Sequence, residues 1–166
     1  GYSAEGNVLK LTVLKSATYP NAMADKEVHR FTYSILPHSG TFKSAHVINE
    51  AYIVNQPLSA VNIGKQNGTL PETYSLVKCN AENVFVETVK KAEDSDDIII
   101  RLYECFDRKT DVTLDFGFDF ESAYICDMTE QNDVAVNADA KSINLCINNF
   151  EIVTLKIKGA QTNYNK

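Results

Sequence analysis

The chain has 166 residues, of which 44% are hydrophobic and 23% charged, a composition typical of a soluble globular protein with a real core. Its formal net charge of −6 and its pI near 5.0 argue against nucleic acid and anionic membranes as partners, because both reward basic patches. No apolar stretch is long enough to cross a bilayer, and no signal-peptide pattern opens the sequence. We therefore expect neither nucleic acid nor a membrane as a partner.

The first predicted elements are two strands joined by a loop. The segments 8–14 (VLKLTVL) and 29–36 (HRFTYSIL) alternate apolar and polar residues, and this period of two is typical of a half-buried strand. The stretch 18–40, which includes the second of these segments, is a dense mixture of aromatic, charged, histidine and proline residues. The apolar rows are Leu9, Leu11 and Val13 in the first strand and Phe31, Tyr33 and Ile35 in the second.

From Thr41 the period changes and predicts the one convincing helix. Apolar residues recur at spacings of three and four through TFKSAHVINEAYIVNQP, which indicates an amphipathic helix of about four turns. Ser39 or Thr41 can cap its beginning, and Pro57 ends it. The residues that set the period are Phe42, Ala45, Ile48 and Tyr52.

The rest of the chain is predicted to be strand after a turn-rich loop at 59–74, which holds one short strand of its own. Short strands at regular spacing, separated by polar turns, predict a mainly β fold: an antiparallel β-sandwich with one helix in a connection near the N-terminus. We expect a single domain over 1–159 and a frayed tail over 160–166. The predicted strands are 75–79, 84–90, 98–106, 112–120, 124–126, 143–147 and 151–158.

Two of these strands carry clear burial signals. The segment 98–106 (IIIRLYECF) is nearly all apolar, which predicts burial on both faces and makes Arg101 a buried, paired structural charge. The segment 112–120 (VTLDFGFDF) alternates without a break. Its predicted inward residues are Val112, Leu114, Phe116, Phe118 and Phe120.

A search for reactive motifs finds little. The three histidines lack metal-ligand spacing, and the four cysteines form no C-x-x-C pair. Buried free thiols favour a reducing, cytoplasmic location. Asp115 and Asp119 share one strand face, and paired carboxylates can hydrolyse glycosides, but acids on the wet face of a half-buried strand are the simpler interpretation. The residues concerned are His29, His38 and His46, with Cys79, Cys105, Cys126 and Cys146.

Several blocks, in order along nearly the whole chain, resemble the C-terminal β-domain of glycoside hydrolase family 38, the class II α-mannosidases. The segment 1–40 is similar to a strand–loop–strand unit of that family, and NQPL at 55–58 follows a helix there as well. NVFVETVKKAED at 83–94 with IIIRLYE at 98–104 matches the family's most specific blocks, and FEIVTLKIK at 150–158 resembles its last strand.

The resemblance implies a fragment of a larger enzyme that hydrolyses α-mannosides with retention through two carboxyl groups. It also implies zinc, held by two histidines and two aspartates of a catalytic domain that this sequence lacks, so we expect no catalytic residue and no cofactor here. The implied partners are that catalytic domain and, through the full enzyme, the α-mannoside substrate. The fragment alone is expected to be inactive.

The resemblance further implies that the loop in 18–40 reaches the rim of the active site, with Lys15, Tyr19 and His29 as the candidate rim residues. The alternative for each residue is a structural role, in a loop held by its own prolines with His29 starting a strand. Lys15 stands where the family usually has arginine, whose planar fork a lysine does not reproduce. The main alternative is a carbohydrate-binding β-sandwich module, which the absence of tryptophan disfavours. An independent enzyme lacks a constellation of catalytic residues. A homo-oligomer interface stays open.

Overall fold

The computed structural model describes residues 1–68 and 71–160. Its contacts divide the chain into two compact units, Gly1–Ala60 and Val61–Lys166, which are described separately below. No helix in the described ranges combines the length and apolar character needed to cross a membrane. The expected single domain over 1–159 stays a prediction, and residues 161–166 of the expected tail lie outside the described residues.

The first unit contains a small hairpin and a short helix. Strands β1 (Tyr2–Glu5) and β2 (Val8–Leu11) pair antiparallel, with Tyr2 opposite Leu11. Gly6 lies in the turn between them at φ +60°, a conformation that glycine adopts without steric cost. Helix α1 (Val47–Asn55) follows a long stretch without regular structure.

In this unit the structure differs from two of the predicted strands. The first ends at Leu11 rather than Leu14, where the partner strand β1 runs out, since Thr12 N–H already bonds Gly1 O at 2.8 Å. Residues 29–36 form no strand in the described part of the chain. Alternation predicts which side chains share a face, but a strand also needs a partner for its backbone, and the first unit supplies none.

The helix is shorter than predicted, beginning at Val47 instead of near Thr41. Thr41 and Ser44 bond each other reciprocally, with Ser44 N–H donating to Thr41 Oγ1 at 3.2 Å and Thr41 N–H to Ser44 Oγ at 3.1 Å. His46 then adopts a left-handed conformation at φ 49°. These local bonds compete with helix formation, and the left-handed residue interrupts it, so only the last turns are α-helical.

The second unit is an antiparallel β-sandwich, which confirms the predicted fold class. One sheet has four strands in the order β3–β6–β10–β9, and the other has five in the order β4–β5–β11–β7–β8. The strands are β3 (Val77–Cys79), β4 (Val84–Lys91), β5 (Ile98–Glu104), β6 (Thr110–Phe116), β7 (Ser122–Cys126), β8 (Val134–Ala135), β9 (Ala138–Asp139), β10 (Ser142–Ile147) and β11 (Ile152–Lys158).

The core lies between the two sheets, because its buried cluster takes residues from both. Seven aliphatic side chains with no exposed surface form its centre, and the phenylalanines of 116–120 close one side with edge-to-face ring contacts. All five inward positions predicted for 112–120 are buried, so that prediction is confirmed. The central aliphatics are Ile100, Leu102, Leu114, Ile143, Ile147, Leu155 and Ile157.

The strand β6 ends at Phe116, four residues before the alternation does. From there the backbone leaves the ladder, with Gly117 N–H bonding Leu76 O at 3.0 Å and Phe120 N–H bonding Ala140 O at 3.1 Å. The short strand expected within 59–74 does not appear in its described residues; Thr69 and Leu70 lie outside them. Backbone pairing, which alternation does not encode, therefore sets these boundaries.

Candidate functional site

The three predicted rim residues lie in the first unit, in the loop after β2. Tyr19 is 87% exposed and precedes Pro20 through a cis peptide bond. Lys15 and His29 are exposed as well. No hydrogen bond or ion pair joins any two of the three within the described residues, so the structure places them on one surface loop without bringing them into contact.

The loop is shaped by its own backbone. Asn21 Oδ1 accepts Met23 N–H at 2.9 Å, and Ala24 N–H donates to Asn21 O at 3.1 Å. Asn21 therefore stabilises the turn at 21–24 with both its side chain and its backbone. Asp25 takes a left-handed conformation at φ 54°, which directs its carbonyl to His29 Nε2 at 2.7 Å. A carbonyl only accepts, so Nε2 is the donor of this hydrogen bond.

A second candidate is an open groove on the outer face of the five-stranded sheet, which we call the outer groove. It has a volume of about 550 Å³, and its walls are mostly apolar. Met128, Phe150 and Ile152 line it and are exposed. The rings of Tyr103 and Phe85 stack beside it with centroids 5.8 Å apart. The other lining residues are Glu87, Thr88, Arg101, Leu102, Glu104 and Cys105.

Glu104 lies at this groove but does not face a ligand, because its carboxylate is enclosed. It is 2% exposed, and Oε1 accepts Asn83 Nδ2 at 2.8 Å and Phe106 N–H, while Oε2 accepts Phe150 N–H at 2.9 Å. Burial by itself would raise the pKa of Glu104, but these hydrogen bonds outweigh it and lower that pKa to about 2. The carboxylate therefore stays ionised, and its hydrogen bonds fix the C-terminal end of β5 to Asn83, Phe106 and Phe150.

A charged cluster contacts Arg101, one of the residues that line the groove. Glu130 is nearly buried and contacts Lys90 at 2.8 Å and Arg101 at 3.6 Å. The hydrogen bond from Lys90, followed by that from Glu93 N–H, lowers the pKa of Glu130. Arg101 also donates to Met128 O at 2.9 Å, so it is paired as predicted, but its side chain is partly exposed rather than buried.

The two motifs considered from the sequence, a carboxylate pair and a metal cluster, can be located among the described residues. Asp115 and Asp119 are exposed, and Asp119 is 3.6 Å from Lys141, the arrangement of solvated acids on an outer face. Among residues 1–68 and 71–160, no three His, Cys, Asp or Glu side chains lie close enough together to hold a metal ion. The side chains present therefore do not fit the zinc that the family resemblance implies, and no reaction step is assigned to them.

Sequence reasoning missed the buried polar centre at Asn83 and Glu104. The two residues fall inside the blocks that carried the family resemblance, yet no spacing rule links positions 21 apart. Asn83 is fully buried and also receives a hydrogen bond from Arg108 at 3.0 Å. The available signal was a glutamate ending a strand that is otherwise nearly all apolar, since a buried acid requires partners.

Comparison with known proteins defines the class to which this sandwich belongs. A family profile described as "Glycosyl hydrolases family 38 C-terminal beta sandwich domain" matches residues 83–155. The chain is 33% identical over 161 residues to "Alpha-mannosidase 2C1" of Homo sapiens and 37% identical over 137 residues to the protein of that name in Mus musculus. It is 34% identical over 168 residues to "Alpha-mannosidase G" of Dictyostelium discoideum.

These matches cover 80–94% of this chain but only 13–15% of the length of the curated relatives. The fold and the profile agree on an accessory β-sandwich of a glycoside hydrolase. Residues 83–155 are the C-terminal β-sandwich domain of glycosyl hydrolase family 38, and the chain belongs to that family. The resemblance stated from the sequence is confirmed.

Proposed function

We propose that this chain is the accessory C-terminal part of an α-mannosidase. It packs on and stabilises the catalytic part of the same polypeptide, which carries out retaining hydrolysis of α-mannosides. One observation supports this above all: 93–94% of the chain aligns at 33–34% identity with proteins named as α-mannosidases, across both of its units.

The chemistry itself is assigned to the part of the parent enzyme outside this chain. That part would supply the nucleophile, the general acid and the zinc site, because the described residues here contain no cluster suited to a metal. We assign the parent enzyme to the cytoplasm, since all four cysteines of this chain are free thiols. Burial raises the pKa of Cys79 and Cys126, which keeps both thiols protonated and inert.

We further propose that Lys15, Tyr19 and His29 form part of the active-site rim in the parent enzyme. Each offers a group that suits a sugar hydroxyl: the ammonium of Lys15, the phenol of Tyr19 and the imidazole ring of His29. Tyr19 is held out in solvent on a loop braced by its own hydrogen bonds, which limits the entropy lost when it meets a ligand.

The test is steady-state hydrolysis of an aryl α-mannoside and an α-mannobiose by the full-length enzyme. Tyr19→Ala and His29→Ala should each raise KM for the mannobiose by about 3–10-fold, the loss of one or two hydrogen bonds to substrate. Lys15→Ala should do the same through its lost donor. The melting temperature should stay unchanged for Lys15→Ala and Tyr19→Ala, because both side chains are exposed.

Matched controls use the same residue types elsewhere on this surface. Tyr2→Ala, His38→Ala and Lys10→Ala should leave KM unchanged. If the rim and control variants behave alike, the rim assignment is wrong while the accessory role stands. If the full-length protein shows no α-mannosidase activity, the proposed function itself is wrong.

A carbohydrate-binding module is the second candidate, and the outer groove is the observation that favours it. Phe150 offers an exposed ring there, and stacking of such a ring on a pyranose face is a common mode of sugar binding. An NMR titration of the chain with mannose and a short α-mannan tests it. Shifts confined to the groove, abolished by Phe150→Ser, would support sugar binding; a flat titration of a folded sample would remove this candidate.

A further inference from the structure

The segment 29–36 has the side chains of a strand without a strand's backbone partners. Phe31, Tyr33 and Ile35 form its apolar row and are 57%, 65% and 76% exposed. Within the described residues, no N–H or carbonyl of 29–36 bonds another backbone group. An exposed apolar row at alternate positions, on a backbone without hydrogen-bond partners, is the combination to which another strand can pair.

The first unit around it also lacks a core of its own. In β2 the apolar residues Val8, Leu9 and Leu11 are exposed, although they pair with β1. A two-stranded hairpin is marginal in water unless a further layer covers its apolar face. The exposed apolar side chains of β2 and of 29–36 therefore both need further polypeptide to bury them.

We propose that 29–36 becomes a β-strand by pairing with a strand of the catalytic portion of the parent polypeptide, placing Phe31, Tyr33 and Ile35 in a core that the two parts share. This inference rests on the proposed function and adds the mode of contact. The backbone of 29–36 would supply the ladder hydrogen bonds, and its apolar row would fix the register. The polar row of Arg30, Thr32 and Ser34 would stay outward.

We place the partner strand in the same polypeptide for two reasons: the length of the relatives outside the matched region, and the high local concentration of a tethered strand. The relatives extend well beyond the matched region, which is only 13–15% of their length. A strand tethered in the same chain meets 29–36 at a local concentration of about millimolar, whereas a second copy must associate from dilute solution. Pairing within one polypeptide should therefore not depend on enzyme concentration.

Hydrogen exchange read by mass spectrometry on the full-length enzyme tests the inference. The amides of 29–36 should exchange at least about 100-fold more slowly than in a synthetic peptide of the same sequence. The protection should be the same at concentrations where the enzyme is monomeric by light scattering. Tyr33→Ser should speed this exchange by about tenfold or more, and Thr32→Ser on the polar row should not.

The outcomes separate the two proposals. If an active α-mannosidase shows peptide-like exchange at 29–36, the strand pairing is wrong and the proposed function stands. Protection that appears only as the enzyme self-associates would mean that a second copy is the partner, and would also overturn the pairing proposed here. A full-length protein without α-mannosidase activity would contradict the proposed function, whatever its exchange.

Discussion

At the scale of single residues, the second unit depends on polar side chains buried with all their partners. The carboxylate of Glu104 accepts bonds from a side chain and from backbone N–H groups of two separate segments. Asn83 completes the arrangement by donating to Thr110 Oγ1 at 2.7 Å. Such a centre fixes the ends of three strands in one geometry, since a displaced strand would leave a buried group unpaired.

Glu104→Gln should destabilise the chain by about 2–3 kcal/mol, because the new amide NH₂ would face groups that donate, leaving buried donors unsatisfied. The exposed Glu72→Gln is the matched control and should change the free energy of unfolding by less than about 0.5 kcal/mol. Urea unfolding at pH 7 measures both. Equal stabilities for the two variants would mean that the enclosed carboxylate has no structural role.

The same carboxylate predicts a sign for the pH dependence. Its pKa is about 2 in the folded chain and near 4.5 when unfolded, so its contribution is fully present above about pH 4.5. That contribution is lost as the pH falls toward 2. Stability measured from pH 6 to pH 2 should fall more steeply for the wild type than for Glu104→Gln, and parallel curves would refute the assignment.

Gly117 is required by a close contact rather than by its backbone conformation. A Cβ there would lie 2.5 Å from Ser75 O and 2.7 Å from the Tyr74 ring. Gly117→Ala should therefore cost about 1–3 kcal/mol, whereas Gly64→Ala, where a Cβ meets nothing within 4 Å, should be neutral or slightly stabilising. Thermal unfolding compares them, and a stable Gly117→Ala would show that this contact relaxes without cost.

At the scale of elements, burial alternates along a strand because its two faces meet different surroundings. In β11, Ile157 faces the core with no exposed surface, and Ile152 lies at the outer groove with 63% exposed. Both are isoleucines in one seven-residue strand that pairs with β5 along its length. Their difference is therefore one of position alone.

Ile157→Ala should destabilise the chain by about 2–5 kcal/mol, the cost of a cavity in a packed core. Ile152→Ala should cost less than about 1 kcal/mol, because its side chain is already mostly in water. Chemical denaturation of the two variants checks the pair. Similar losses would imply that the outer groove is covered rather than open to solvent.

At the scale of the whole molecule, the two units differ in the interactions that stabilise each of them. The second unit has a continuous core between two sheets, and the first has exposed apolar side chains around a hairpin and a helix of nine residues. A chain segment of this size needs a core, a metal or a partner to outweigh its conformational entropy. The units should therefore behave differently when separated.

Separate preparation of the two units as isolated fragments tests this difference. Residues 61–166 alone should unfold cooperatively in urea, because they contain the whole core cluster, and residues 1–60 alone should show no cooperative transition. Circular dichroism and amide dispersion in NMR spectra provide the measurement. Cooperative unfolding of 1–60 by itself would contradict both this expectation and the need for a strand partner.

Three features of this protein follow from its amino-acid sequence alone: the fold class, the inward face of 112–120 and the family. Burial of alternating residues is a local property of a strand, and the family blocks are runs of adjacent residues. Local patterns do not specify where strands end, whether 29–36 is paired, or that Asn83 and Glu104 meet. Those features depend on tertiary structure, because hydrogen bonds between distant segments supply the partners that no local pattern encodes.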